Sequence, residues 1–140
     1  MDSILRLLYT SQARIDLTEA EVLQILHQSR ENNEKTRITG ILCYNKRDFI
    51  QVLEGPEKNV LSLYTKIIDD PRHQRCKLVS IDLCDKRIFE SWSMGYISVS
   101  NSKMQQLRHE LPAKINHDNT DKFVMHLRSF LNNSAPKAVI

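Results

Sequence analysis

A single glutamine lies in the middle of an apolar run that has the pattern of a β-strand. The run covers residues 49–55 (FIQVLEG), and strand alternation places Gln51 on the same face as Phe49 and Leu53. A buried amide without a partner costs about 1–3 kcal/mol. Other polar groups or a bound ligand must therefore supply the hydrogen bonds that this amide needs.

Further polar or redox-capable side chains are aimed at the same layer. Tyr9 lies on the core face of the first predicted strand, and Ser29 and Asn33 end the buried stripe of the first predicted helix. Trp92 and Met94 share a face of the last predicted strand. Each has an ordinary structural explanation when taken alone, as core packing or as a helix end. Together with the Gln51 amide, these side chains indicate a pocket for a flat heterocycle that carries hydrogen-bond donors and acceptors along its edge.

Alternating strands and helices position these residues. Asp16 or Thr18 can cap the first helix, and Glu21 is placed to complete a capping box. Residues 45–48 (NKRD) form a polar turn of hairpin length. The predicted strands are 4–10, 38–44, 49–54, 78–83 and 89–99, and the predicted helices are 19–32 and 56–69.

The order βαββαββ is that of a ferredoxin-like α+β fold, with both helices on one face of the sheet. Strands 78–83 and 89–99 read as a hairpin. We expect the fifth strand to lie beside the first, because Trp92 and Met94 must come near Gln51.

The opposite face of the sheet needs a cover, and residues 102–133 can supply it as two C-terminal helices separated at Pro112. We therefore divide the chain into a domain at 1–100, a helical cap at 101–133 and a loose tail at 134–140. The apolar stripes of the cap are formed by Met104, Leu107, Leu111, Phe123, Val124, Leu127, Phe130 and Leu131.

Composition excludes several classes of function. The 140 residues are 41% hydrophobic and 26% charged, and the net charge of +3 is spread without a basic block, which argues against nucleic acid as a partner. The three glycines form no phosphate loop or dinucleotide turn, so a Rossmann enzyme is excluded. The five histidines lack metal-ligand spacing, and the acidic pairs lie at an element end and in a predicted hairpin, so we predict neither a metal site nor an enzyme.

Targeting and redox signals are equally sparse. Three cysteines, an odd number without a Cys-x-x-Cys pair, indicate neither a disulfide framework nor a zinc site and fit a reducing cytoplasm. No apolar run approaches the ~18 residues of a membrane span, and the N-terminus lacks the pattern of a signal peptide. We therefore expect a cytoplasmic protein with no membrane partner.

Six segments, in order and in spacing, resemble the BLUF domain, the flavin-binding blue-light sensor module of bacteria. They are residues 7–11 (LLYTS), 32–33 (NN), 38–44 (ITGILCY), 49–55 (FIQVLEG), 70–73 (DPRH) and 89–94 (FESWSM). The resemblance covers about the first 100 residues.

The resemblance implies a role for each matching residue. The isoalloxazine ring is expected between the two helices, packed by Ile25, Leu42 and Ile67 and paired with the Asn33 amide, while Ser29, Asn32, Arg72 and His73 line the rest of the ring. Tyr9 is expected to donate an electron and then a proton in blue light. Gln51 is expected to bridge the Tyr9 hydroxyl and the flavin N5/C4=O region. It then rotates or tautomerises, and Trp92 and Met94 pass the change to the cap. The expected cofactor is FAD, with FMN or riboflavin as alternatives.

Nothing after residue 100 resembles an output domain, so the expected partners are a downstream protein and further copies of this chain in a homo-oligomer. Two other classes stay open. A ferredoxin-like nucleic-acid binder would need exposed aromatic residues, of which the third strand offers only Phe49. A small hydrolase or ligand-binding regulatory domain would be colourless when purified.

Overall fold

The computed structural model describes residues 3–90, 92–111 and 117–133, with the backbone alone described at 117–119 and 130–133. Its elements follow the order predicted from the sequence and confirm the α+β, ferredoxin-like class. They are β1 (Ile4–Ala13), α1 (Glu19–Thr36), β2 (Thr39–Asn45), β3 (Asp48–Pro56), α2 (Glu57–Asp69), β4 (His73–Cys84), β5 (Gly95–Ser98), α3 (Asn101–Glu110) and α4 (His117–Asn133).

The five strands form one sheet in the order β4-β1-β3-β2-β5. Strand β1 pairs antiparallel with both β3 and β4, and β2 pairs antiparallel with β3. Alternation along the strands separates two cores. One core, which contains Leu7 and Leu53, packs under α1 and α2, and the other, which contains Leu8 and Val52, packs under α3 and α4.

The position of the fifth strand differs from the prediction. Among the described residues of 89–99, only Gly95–Ser98 form a strand. It pairs in parallel with β2 at the opposite edge from β4, so it makes no hairpin with β4 and does not lie beside β1. The backbone of residues 88–89 and 92–94 bonds instead to groups far away in the sequence. For example, Gly40 N–H donates to Trp92 O at 2.9 Å, and the carboxylate of Glu54 accepts from Phe89 N–H at 2.8 Å. These tertiary contacts override the strand pattern of this segment.

Local chemistry fixes the first helix and its exit. Thr18 caps α1 in a complete capping box with Glu21, as predicted, but the helix runs four residues beyond the predicted end at 32 and stops at Arg37, whose φ is 57°. Strand β2 then packs so closely on β3 that a Cβ atom on Gly40 would lie 1.9 Å from the Val52 carbonyl oxygen. Only glycine fits at this position.

The cap lies on the second face of the sheet as predicted. Met104 and Leu107 of α3 and Phe123, Val124 and Leu127 of α4 are buried there. Pro112, the side chains of Phe130 and Leu131, and the tail at 134–140 lie outside the described residues.

A buried ion pair joins the sheet to this cap. Arg6 and Glu54 oppose each other across β1 and β3, and Arg6 Nε donates to Glu54 Oε2 at 2.8 Å. The same carboxylate accepts the backbone N–H groups of Ile88 and Phe89, each at 2.8 Å. Arg6 Nη1 donates to Asp121 of α4 at 3.0 Å. The pair therefore connects two central strands, the segment after β4 and the last helix.

Candidate functional site

A cavity of about 260 Å³ lies between α1 and α2, above β1, β2 and β3. Every residue predicted from the resemblance to bind the ring lines this one cavity: Ile25, Ser29, Asn32, Asn33, Leu42, Gln51, Ile67, Arg72 and His73. Tyr9 lines it as well. The structure thus brings together side chains from two helices, four strands and one loop.

A phenol, a carboxamide and a thioether form a chain at the floor of the cavity. The Tyr9 hydroxyl donates to Gln51 Oε1, and Gln51 Nε2 donates to Met94 Sδ at 3.2 Å. Tyr9 and Met94 are buried, whereas Gln51 keeps partial exposure to the cavity. Because a thioether is a weak acceptor, Gln51 retains the capacity to bond a ligand.

The Tyr9 phenol is neutral. Burial, reinforced by the nearby Cys76 and Tyr64, raises the pKa of Tyr9 far above its ordinary range. The Tyr64 ring packs against it with centroids 5.3 Å apart. A neutral phenol that loses an electron also releases its proton, and Gln51 Oε1 is the acceptor already bonded to it.

Helix α1 contributes amide and hydroxyl groups to one wall. Asn33 is 2% exposed, and its Nδ2 donates to Ser93 O at 2.7 Å. One amide hydrogen is committed to that bond, so the carbonyl oxygen and the second hydrogen remain to pair with a ligand edge. Ser29 and Asn32 lie on the same wall.

The loop after α2 and the start of β4 form the rim. Arg72 Nη2 donates to Asp70 Oδ2 at 2.6 Å, and this hydrogen bond lowers the pKa of Asp70. Burial lowers the pKa of His73, whose Nδ1 lies 3.4 Å from Ser11 Oγ and whose ring packs edge-on against Phe49. His73 is therefore biased towards the neutral form, while Arg72 brings a positive charge to the rim.

Trp92 does not join this group, contrary to the prediction that it shares a face with Met94. Met94 packs in the core under α1 and α2, whereas Trp92 packs in the core under the cap. Its ring lies 5.8 Å from Phe89 and 5.5 Å from the guanidinium carbon of Arg128 on α4. Trp92 and Met94 lie before β5 in irregular backbone, so strand alternation does not apply to them.

Sequence reasoning missed some polar residues of the site. Gln28, Lys66 and Asp70 also line the cavity. Arg30 does not line it but is buried at 6% exposure and donates to Met94 O. The signal for Arg30 was present, because it follows Val22 and Leu26 at the i+4 spacing of the buried stripe.

The cavity has the chemistry to hold a flat ligand. Its walls are mostly apolar, and a few polar side chains converge at defined points, which is the usual make-up of a small-molecule site. Within the part of the chain that the structure describes, no three His, Cys, Asp or Glu residues are grouped to hold a metal ion. None of the helices described is long and apolar enough to cross a membrane.

Comparison with known proteins agrees with this geometry. The family model for sensors of blue light using FAD (BLUF) matches residues 4–95. The photoactivated adenylate cyclase subunit alpha of Euglena gracilis is 36% identical over 88 residues, which are 63% of this chain and 9% of that protein. The blue light- and temperature-regulated antirepressor BluF of Escherichia coli is 34% identical over 83 residues, 59% of this chain and 21% of that protein.

The chain therefore spans only a small part of the length of these curated relatives. The solved dark-state structure of BlrB, a BLUF protein, is similar over nearly the whole of both chains. It has a TM-score of 0.75 and 31% identity, and the match covers 96% of this chain and 99% of BlrB. Because the family model matches 4–95 and the fold and cavity agree with it, this chain belongs to the BLUF family of flavin-binding blue-light sensors.

Proposed function

We propose that this chain is a blue-light photoreceptor that holds a flavin non-covalently in the cavity between α1 and α2. The observation that carries the proposal is the chain from the Tyr9 hydroxyl through the Gln51 amide to Met94 at the floor of that cavity. A buried donor and an adjustable carboxamide beside a ligand-sized space are what light-driven proton-coupled electron transfer requires.

The residues present fit an isoalloxazine. Ile25, Leu42 and Ile67 offer apolar surface on different sides of the cavity. Asn33 keeps an amide oxygen and an amide hydrogen that suit a ring edge with adjacent N–H and C=O groups. Ser29, Asn32 and His73 add polar groups around the same space.

We propose FAD as the flavin, with FMN and riboflavin as the alternatives. Lys66 and Arg72 line the cavity and are positively charged, which suits a ligand that carries phosphates. Both side chains are exposed, and Arg72 is paired with Asp70, so they would be accessible to the phosphates of a nucleotide.

Tyr9 and Gln51 perform the first step after light absorption, a transfer of an electron and a proton. A bound isoalloxazine would supply a strong one-electron oxidant when it is excited by blue light. Tyr9 would give up an electron to that oxidant, and its phenolic proton would move to the Gln51 carbonyl that already accepts its hydrogen bond. When proton and electron return to Tyr9, the carboxamide can remain rotated or tautomerised, and its donor and acceptor ends are then exchanged.

The segment that contains Ile88, Trp92 and Met94 carries the change to the cap. Met94 contacts Gln51 on the pocket side of the sheet, and Trp92, two residues earlier, contacts Arg128 on the cap side. Arg128 Nε also donates to Ile88 O at 2.9 Å, so α4 holds this segment at two points. A change at Gln51 is thus transmitted as a shift between two packings of the segment against α4.

We propose that the output passes to a partner protein and that the chain itself catalyses no reaction on a substrate. The photoactivated cyclase relative matches this chain over only 9% of its own length. We further propose a bacterial, cytoplasmic homo-oligomer that binds neither nucleic acid nor membrane, with residues 101–133 as the signalling cap and 134–140 as a loose tail.

Illumination of three matched proteins tests this function. Wild type, Tyr9→Phe and Gln51→Leu are purified with flavin bound, and the flavin released by heat is identified by chromatography. The wild type should show a reversible red shift in blue light, and both variants should bind flavin without that shift. A Tyr9→Phe protein that responds like wild type would refute the assigned electron donor.

A further inference from the structure

The backbone beside the Gln51 carboxamide is held in place through three successive carbonyl groups, each of which accepts a hydrogen bond from another part of the chain. Trp92 O accepts from Gly40 N–H at 2.9 Å, and Ser93 O accepts from Asn33 Nδ2 at 2.7 Å. Met94 O accepts from Arg30 twice, from Nε at 3.1 Å and from Nη2 at 3.0 Å. The last of these is the charged contact, and it acts on the residue that touches Gln51.

Burying the charged side chain of Arg30 at this position costs free energy. Arg30 is 6% exposed, and no described carboxylate forms an ion pair with it. Burial lowers the pKa of Arg30, which reflects the cost of desolvating its charge. An apolar side chain would continue the buried stripe of Val22 and Leu26. The role of Arg30 is therefore to be sought in its contact with the Met94 carbonyl.

The side chain of Met94 favours one orientation of the Gln51 amide. Its sulfur accepts from Gln51 Nε2 at 3.2 Å, while Gln51 Oε1 accepts from the Tyr9 hydroxyl. Both bonds require the amide nitrogen to face the sulfur and the amide oxygen to face the phenol, because a carboxamide has chemically different ends. Displacing the sulfur removes the acceptor that keeps the nitrogen on that side.

We propose that Arg30 is a positioning residue that sets the dark orientation of the Gln51 carboxamide by holding the Met94 backbone. This inference rests on the proposed function, since it assigns Gln51 the response to light. Arg30 acts through Met94 and touches neither the cavity nor Tyr9 in the contacts that the structure describes.

The test compares Arg30→Leu, Arg30→Lys and the control Arg47→Met in the full-length, flavin-loaded chain. Arg47 also donates to backbone carbonyls, those of Ala13 and Arg14, but far from Met94. One readout is the dark absorption spectrum with the light-minus-dark amplitude. The second is the methyl NMR signal of Met94 in the dark, assigned with Met94→Leu, which needs no photochemistry.

In Arg30→Leu, the dark spectrum should already be displaced towards the illuminated one, and the light-induced amplitude should fall to about half or less. The Met94 methyl signal should move or broaden. Arg30→Lys keeps the charge with a single donor group and should give a smaller change in both readouts, which also covers the case that Arg30→Leu does not fold. Arg47→Met should match wild type.

An Arg30→Leu protein with a wild-type dark spectrum, full amplitude and an unmoved Met94 signal overturns the proposal, even if its melting temperature is lower. A wild type that binds flavin but shows no light response refutes the proposed function instead. In that case a moved Met94 signal still supports the positioning role, and an unmoved one refutes it.

Discussion

The buried Arg6–Glu54 pair offers a quantitative test of how the sheet is tied to its cap. Arg6 is 4% exposed and Glu54 is 0% exposed, so neither charge is solvated by water when its partner is removed. In Arg6→Met, the Glu54 carboxylate keeps only the N–H groups of Ile88 and Phe89. Leaving one member of a buried pair uncompensated costs about 3–5 kcal/mol.

Removing the charge of Glu54 while Arg6 is kept should lower the free energy of unfolding by less. Glu54→Gln retains one acceptor oxygen for the backbone, and Arg6 keeps its bonds to Asp121 and Lys86 O at 3.0 and 3.1 Å. The loss of charged hydrogen bonds predicts about 1.5–3 kcal/mol. The double variant removes both charges and leaves a neutral amide for the backbone groups. Its cost should be smaller than the sum of the single changes by at least about 2 kcal/mol.

Urea denaturation of the four proteins at neutral pH, followed by far-ultraviolet circular dichroism, measures these free energies of unfolding. Flavin must be saturating throughout, because a ligand that binds the folded state adds to its stability. A cost below about 1 kcal/mol for Arg6→Met would show that water reaches the pair and would refute the reasoning. So would strict additivity in the double variant.

Three further predictions concern the pocket rim and the scaffold. Burial holds the pKa of His73 below its ordinary value of 6.5, so as the pH falls through that value the unfolded chain binds a proton first and the folded state loses stability. In His73→Gln, the urea midpoint should therefore depend less on pH between about pH 5 and 7 than it does in wild type. An unchanged pH dependence of the midpoint would contradict this effect of burial on His73. Gly40→Ala places a Cβ atom 1.9 Å from a backbone oxygen, whereas the closest contact in Gly55→Ala is 2.9 Å. Gly40→Ala should lower the free energy of unfolding by more than about 3 kcal/mol or prevent accumulation of soluble protein, and Gly55→Ala should lower it less. The opposite order of stabilities would contradict the close approach of β2 and β3 at Gly40. Thr18→Ala removes the capping box and should cost about 1 kcal/mol in thermal unfolding, while Thr18→Ser should be close to neutral; equal losses in the two would show that the cap hydroxyl does not matter.

The parts of the fold that could be predicted from sequence are those whose pattern is local. The capping box at Thr18 and the alternation that places Gln51 beside Leu53 depend on residues a few positions apart. The same periodicity placed Tyr9 and Asn33 towards one layer, and the structure brings them to one cavity. The ligand itself could not be read from these patterns, and the resemblance of six ordered segments supplied it.

The errors lie where distant residues decide the structure. The backbone at Ile88, Phe89 and Trp92 is held by Glu54 and Gly40, so the strand-like alternation of the sequence misled the prediction of β5 and of a face shared by Trp92 and Met94. Burial of Arg30 depends on a carbonyl 64 residues away. Strand β4 begins at His73, before the predicted start at 78, and its pairing with β1 has a register shift near Arg75, whose φ of 53° is not signalled by a glycine.

The visible absorption spectrum of the purified wild-type protein, recorded before and after blue illumination, tests the central claim most directly. The Tyr9–Gln51 arrangement beside the cavity predicts a yellow protein whose flavin band moves slightly to longer wavelength in blue light and returns in the dark. A colourless protein that fails to take up added flavin would contradict that claim, as would a yellow protein whose spectrum does not change on illumination.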